Sequence, residues 1–146
     1  MKALHADTSG LLARFFPSHV FDGGGRCVWL RRWTLFNRFG YALFLHYWLN
    51  DDWTVHHHDH SRAMVSIGLR GAYTEHFVDG TMASWKAPWV RHFPATHRHY
   101  VTLDTPTVWT LVLALPQTRK SWFWVNGRQM GREYLSSDYA DEQKRC

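Results

Sequence analysis

Cysteine is nearly absent: Cys27 and Cys146 are the only two in 146 residues. Two distant thiols make no disulfide framework, which points to a reducing compartment. Long apolar runs are missing too. The longest, "YALFLHYWL" at 41–49, spans nine residues and contains His46, whereas a membrane-spanning helix needs about 20 apolar residues. The opening "MKALHADTSGLLARFFPSHV" lacks the continuous apolar core of a signal peptide, so the chain reads as cytoplasmic. Basic residues outnumber acidic ones, 17 to 12, but there is no lysine-rich block. The arginines are scattered, with small groups at Arg31–Arg32 and Arg119–Lys120, and nucleic acid is disfavoured as a partner. No P-loop, dinucleotide-binding glycine pattern, nucleophile elbow or Cys-x-x-Cys pair is present.

Aromatic residues are abundant, with nine Trp, nine Phe and six Tyr. They suit pleated, half-buried surfaces and favour a β-rich chain. Strand-like runs lie at 27–36, 41–49, 64–78, 83–93, 100–104 and 108–115, each bounded by Gly, Pro, Asn or Asp. "NRFG" and "DGT" are turns, and Asp79–Gly80 signals a hairpin. Helical periodicity is almost absent, apart from a short helix expected around "SGLLARFF", with Ser9 as N-cap and Pro17 as its stop. The expected organisation is a lead-in over 1–26, one all-β barrel or sandwich over 27–130, and a polar tail over 131–146.

Histidine carries the chemical signal. His56, His57, His58 and His60 crowd around Asp59, and His92, His97 and His99 form a second group. In a strand, residues i and i+2 share a face and lie about 6.6–6.8 Å apart. His58 and His60 could therefore lean on one ion, with His99 as a third ligand from a later strand. His57 and Asp59 offer the opposite register, the two-histidine, one-carboxylate pattern with a distant histidine. A one-residue slip exchanges the two sets. His97 shares the strand face of His99 and is an alternative or supporting group. Imidazole suits iron, copper, nickel and zinc alike, so the ligands alone do not choose the metal.

"HDHSRAMVSIGLRGAYTE" followed by "RHFPATHRHYVTL" resembles the paired motifs of the cupin superfamily. His58-Asp59-His60 matches the H-x-H of the first motif, and Gly71 its glycine. Pro94 to His99 matches P-x-G-x-x-H of the second, with Thr96 in place of the glycine. "FLHYWLNDD" and "WTLVLALPQTRKSWFW" extend the resemblance to small single-domain cupin-like proteins of bacteria and phages, over about 27–125. The resemblance implies a single cupin-type antiparallel β-barrel or jelly roll and a homodimer. It implies a divalent metal held by His58, His60 and His99, with Fe(II) favoured and Zn, Ni or Mn as alternatives. The usual glutamate ligand would fall near Met64 or Val65, which cannot bind a hard ion, so a three-histidine site similar to the thiol dioxygenases is expected. Glu75 comes later and is a replacement ligand or acid/base group, against a solvated hairpin carboxylate.

The implied function is a non-haem iron dioxygenase acting on a small-molecule substrate, with Glu75, Tyr73 and His46 as catalytic candidates. A histidine among aromatics, such as His46, is ordinarily a satisfied core residue. Tyr73 and Arg70 are candidate substrate contacts, against cross-strand packing and a surface charge respectively. Trp109, Trp122 and Trp124 are expected as core or cavity walls. A sugar isomerase or epimerase on the same fold, and a non-catalytic protein binding a small ligand or nucleic-acid component, are the alternatives.

Overall fold

A computed structural model describes residues 12, 14–22, 28–52, 54, 56–131, 133 and 134. Cys27, Cys146, Ser9 and most of the polar tail lie outside the described residues. So does half of the predicted lead-in helix, of whose described residues Leu12, Arg14 and Phe15 are helical. Two antiparallel six-stranded sheets make up the fold. The first holds β1 (Ser18–Phe21), β2 (Leu30–Arg38), β3 (Tyr41–Trp48), β5 (Met64–Arg70), β8 (Trp89–Phe93) and β10 (Val108–Ala114), in the order β1-β2-β3-β10-β5-β8. The second holds β4 (His57–His58), β6 (Ala72–Phe77), β7 (Met82–Lys86), β9 (His99–Leu103), β11 (Phe123–Val125) and β12 (Arg128–Met130), in the order β12-β11-β4-β9-β6-β7. The all-β class expected from the aromatic and β-branched runs is the class observed. Among the described residues no helix is long and apolar enough to cross a membrane.

Two predicted strands each prove to be a pair of strands in different sheets. The run 64–78 breaks at Gly71, whose φ is 89° and where a Cβ would come within 2.4 Å of the Thr107 carbonyl oxygen. Only glycine fits there, and the chain crosses from β5 in one sheet to β6 in the other. The run 83–93 breaks at Ala87-Pro88, a cis peptide, and returns from β7 to β8. The Ala87 amide donates to the Gly71 carbonyl at 2.9 Å, tying the two crossings together. Hairpins join the consecutive pairs β2–β3, β6–β7 and β11–β12. Phe39 and Gly40, at φ 56° and 81°, join β2 to β3, while Asn126 and Gly127, at 48° and 78°, join β11 to β12.

The period-2 alternation of each strand decides which side chains meet between the sheets. Tyr73, Trp89, Val101 and Val108 form a buried cluster there. On β10 the buried residues are Val108, Thr110, Val112 and Ala114. On β6 they are Tyr73 and Glu75. The carboxylate of Glu75 thus sits on a core-facing position, with 0 % exposure. The other face of the first sheet carries Trp33 and Tyr47 stacked on Trp109.

Candidate metal centre

His58 and His99 are direct cross-strand partners between β4 and β9. Paired residues face the same side, so both imidazoles point between the sheets. His60 follows two residues after His58, and its amide donates to the Ala95 carbonyl at 3.1 Å. The three rings lie 5.0–5.3 Å apart, centroid to centroid. One nitrogen from each falls within 4.8 Å of the others, and Nε2 of His60 is 3.0 Å from Nε2 of His99.

Asp59 accounts for this register. It is 2 % exposed and turned to the opposite side. Its Oδ1 accepts the Trp122 amide at 2.7 Å; its Oδ2 accepts the Trp124 indole at 3.2 Å and pairs with Arg119 at 3.1 Å. With its oxygens so engaged, the structure does not bring Asp59 to the His58/His60 face. His57 packs edge-on against Tyr100, and His56 Nδ1 is 2.7 Å from the Tyr134 hydroxyl.

Glu75 stands behind the cluster. On β9 its partner is Val101, two residues from His99, while His99 pairs with Phe77. The Nδ1–H of His99 donates to Glu75 Oε1 at 2.5 Å, His97 Nε2 donates to the same oxygen at 2.6 Å, and Arg91 Nη1 pairs with Oε2. Burial alone would raise this carboxyl, but the bonds from His97, His99 and Arg91 outweigh it and hold it well below the usual range. The proton on Nδ1 leaves the Nε2 lone pair of His99 free to face His60. This is the carboxylate–histidine arrangement that orients metal-ligating imidazoles. Glu75, His97 and His99 also form a second group with metal-ligand spacing, but these hydrogen bonds already occupy it.

The three imidazoles are held neutral. Burial is the largest cause in each case, reinforced by neighbouring imidazoles; His60 is lowered to about 3, His58 lies well below 6.5, and His99 is lowered despite Glu75. Neutral imidazoles offer lone pairs, which is what a metal requires. Two metal–nitrogen bonds of about 2.1 Å set at a right angle place their nitrogens about 3.0 Å apart, the separation found between His60 and His99. The donor set therefore fits a divalent ion.

These histidines form one wall of a cavity of about 180 Å³ between the sheets. His46, Tyr73, Asp52, Arg32, Ser66 and Thr110 also line it, with Trp29, Trp48 and Phe93 as aromatic walls. Tyr73 is buried, and its phenol is pushed up to about 12, chiefly by burial, so it stays protonated. His46 accepts a hydrogen bond on Nε2 from Arg32 Nε at 2.9 Å and is held neutral by burial and by that cation. Glu75 does not line the cavity, and Arg70 lies exposed at the end of β5. Trp122 borders a neighbouring cavity, and Trp124 lies beneath the Arg98 guanidinium at 3.5 Å.

Two cavity residues escaped the sequence reading. Asp52 is 3 % exposed, accepts the Val101 amide at 2.8 Å, and is pushed up to about 7, mainly by burial. Its only sequence signal was its place in "NDD", just before the first histidine cluster. Arg32 read as one of several scattered basic residues. Thr96, where the motif has glycine, occupies a turn closed by the His97 amide on the Pro94 carbonyl at 3.0 Å, and its φ is not positive. No glycine is needed there.

No protein-family model matches the sequence, and no curated protein matches it. Solved structures do resemble the fold. A cupin superfamily protein from Desulfitobacterium hafniense DCB-2 is 15 % identical, with a TM-score of 0.51 over 60 % of this chain and 78 % of its own. The Fe(II) form of HppE is 12 % identical, with a TM-score of 0.57 over 70 % and 57 %. A candidate mannose-6-phosphate isomerase from Ralstonia eutropha JMP134 is 14 % identical, with a TM-score of 0.54 over 60 % and 84 %. At these identities the likeness is one of fold: the chain has the cupin-type β-barrel.

Proposed function

We propose that the protein is a metal-dependent enzyme of cupin fold, a non-haem iron dioxygenase that acts on a small molecule in the cavity between the sheets. One observation carries this: three neutral imidazoles, from half-buried His58 and His60 and buried His99, converge on the wall of an aromatic-lined cavity, with Nε2 atoms of two of them 3.0 Å apart. Fe(II) is favoured, with Zn, Ni or Mn as alternatives; His58, His60 and His99 would hold the ion, which would supply the activation of dioxygen. HppE, a neighbour in fold, is an Fe(II) protein.

The chain's own residues have separate tasks. Glu75 is a positioning residue that keeps the proton of His99 on Nδ1. The protonated Tyr73 phenol donates to bound substrate, and Asp52, with a pKa near 7, is the cavity group best matched to take or release a proton at neutral pH. His46 holds Arg32. Trp29, Trp48 and Phe93 exclude water. The scarcity of cysteine supports a cytoplasmic location, and a homodimer is proposed from the resemblance alone.

An isomerase or epimerase is the second reading, favoured by Asp52 and neutral His46 on one cavity and by the fold likeness to the candidate isomerase. Oxygen uptake separates the two. Protein reconstituted with Fe(II) is screened in an oxygen electrode against small thiols and carboxylic acids. Substrate-dependent uptake that disappears in folded His60→Ala is expected. Turnover without oxygen uptake, retained after metal removal, would replace the dioxygenase with the isomerase.

A further inference from the structure

Arg32, the third residue of β2, lies directly opposite His46 on β3, on the sheet face that bounds the cavity. Its guanidinium is fixed on three sides. Nε donates to His46, and the rings of Phe21 and Phe44 cover it at 4.6 and 4.4 Å from their centroids. Its two terminal nitrogens have no acceptor among the described residues, whose ion pairs to arginine involve Arg91 and Arg119 instead. Burial and, after it, repulsion from the Arg62 cation lower its pKa only to about 10. It is therefore a charged guanidinium at neutral pH, oriented but unpaired. The guanidinium is half-buried, and an anion placed on its free edge would meet a cation already oriented for charge-assisted hydrogen bonds.

We propose that Arg32 is the anion anchor of this cavity and that the substrate is a small carboxylate. Its carboxylate takes the two free guanidinium nitrogens, and its other end lies at His58, His60 and His99. A planar fork that is already held by Nε suits bidentate pairing with a carboxylate. The same Arg32 borders the neighbouring cavity of about 360 Å³, which also shares His58 and His60, so the anchor stands beside the histidine wall from both sides. The cavity volume of about 180 Å³ is below the range of about 300–1,000 Å³ for drug-sized ligands. It therefore selects a small metabolite. Asp52, the carboxyl on the smaller cavity, accepts the Val101 amide, and Asp59, on the larger one, pairs with Arg119; neither pairs with Arg32.

The substrate class rests on the proposed metal centre, but the anchor is tested without it. The full chain, metal-free and then zinc-loaded, is titrated with propionate, propionamide and inorganic phosphate by isothermal calorimetry, with the fluorescence of the cavity tryptophans as a second signal. Propionate is expected to bind about 10–100-fold more tightly than propionamide, and more tightly than phosphate. Arg32→Met and Arg32→Lys should each lose at least about tenfold in propionate affinity, while Arg70→Met, at an exposed position, should not. Binding of propionate that survives in His60→Ala but fails in Arg32→Lys establishes the anchor even if the metal reading falls. Equal affinity for propionate and propionamide in the wild type, or unaltered binding in folded Arg32→Lys, overturns it, whether or not Arg32→Met folds. Tighter binding of phosphate overturns the choice of carboxylate.

Discussion

Replacing Glu75 by Gln tests the support of the site without touching any residue of the histidine wall. The carboxylate accepts from His97 and His99 on one oxygen and from Arg91 on the other, at 0 % exposure. Gln keeps the shape but has a single acceptor oxygen, and its amide nitrogen would meet at least one of those donors. The side chain of Arg91, 11 % exposed, loses its counter-charge, although its stacking on Trp85 at 3.9 Å remains. Removing one partner of a buried ion pair costs about 3–5 kcal/mol. The lower end applies, because Gln still accepts one bond. For a chain of this size that corresponds to a fall in Tm of about 6–12 °C. With the Gln oxygen turned to the Arg91 cation, the amide nitrogen faces His99, which loses the acceptor that holds its proton on Nδ1; metal binding should then weaken by about 10–100-fold. Calorimetric melting and metal titration of the folded variant read the two effects separately. Unchanged Tm together with unchanged metal affinity would refute the assigned role of Glu75.

A Cβ on Gly68 would fall 2.1 Å from the Trp89 ring, which is itself buried. Gly68→Ala should therefore cost about 1–3 kcal/mol by overpacking, seen as a lower urea midpoint; an unchanged midpoint would contradict the packing described. Acid should destabilise the metal-free protein. His60 has a folded pKa of about 3 against an ordinary 6.5, so the unfolded chain binds the extra proton between these values. Its contribution is complete above about pH 6.5 and is lost towards pH 3, at about 1.4 kcal/mol per pH unit. His46 and His58 act in the same direction. Asp52, raised to about 7, acts in the opposite one, because its contribution is present at low pH and is lost as pH rises through 7. Urea denaturation should show stability falling from pH 6.5 to 4, and a rise over that range would contradict the assigned protonation states.

The β class was legible because burial between two sheets demands runs of aromatic and β-branched residues, and those runs are local. The crossings were not. Gly71 lies inside an apparently continuous strand pattern, and only the approach of Thr107 shows that no side chain fits there. β11 and β12 were missed although Asn126-Gly127 is a strong hairpin signal, because three-residue strands are too short to show alternation. The convergence of His58, His60 and His99 was readable from motif spacing. Its register was not, since Asp59 is bound by Trp122, Trp124 and Arg119, about sixty residues later. Glu75 carried the right residue type for a ligand. Its hydrogen bonds behind His99 are a property of the β6–β9 pairing, which local pattern does not reveal.

Elemental analysis of the untagged protein after anaerobic reconstitution, alongside folded His58→Ala, His99→Ala and His57→Ala variants, tests the central claim most directly. About one divalent ion per chain, lost in His58→Ala and His99→Ala and retained in His57→Ala, is the predicted result. A wild type that takes up no iron, zinc, nickel or manganese, or an ion that survives in His58→Ala and disappears in His57→Ala, would contradict it.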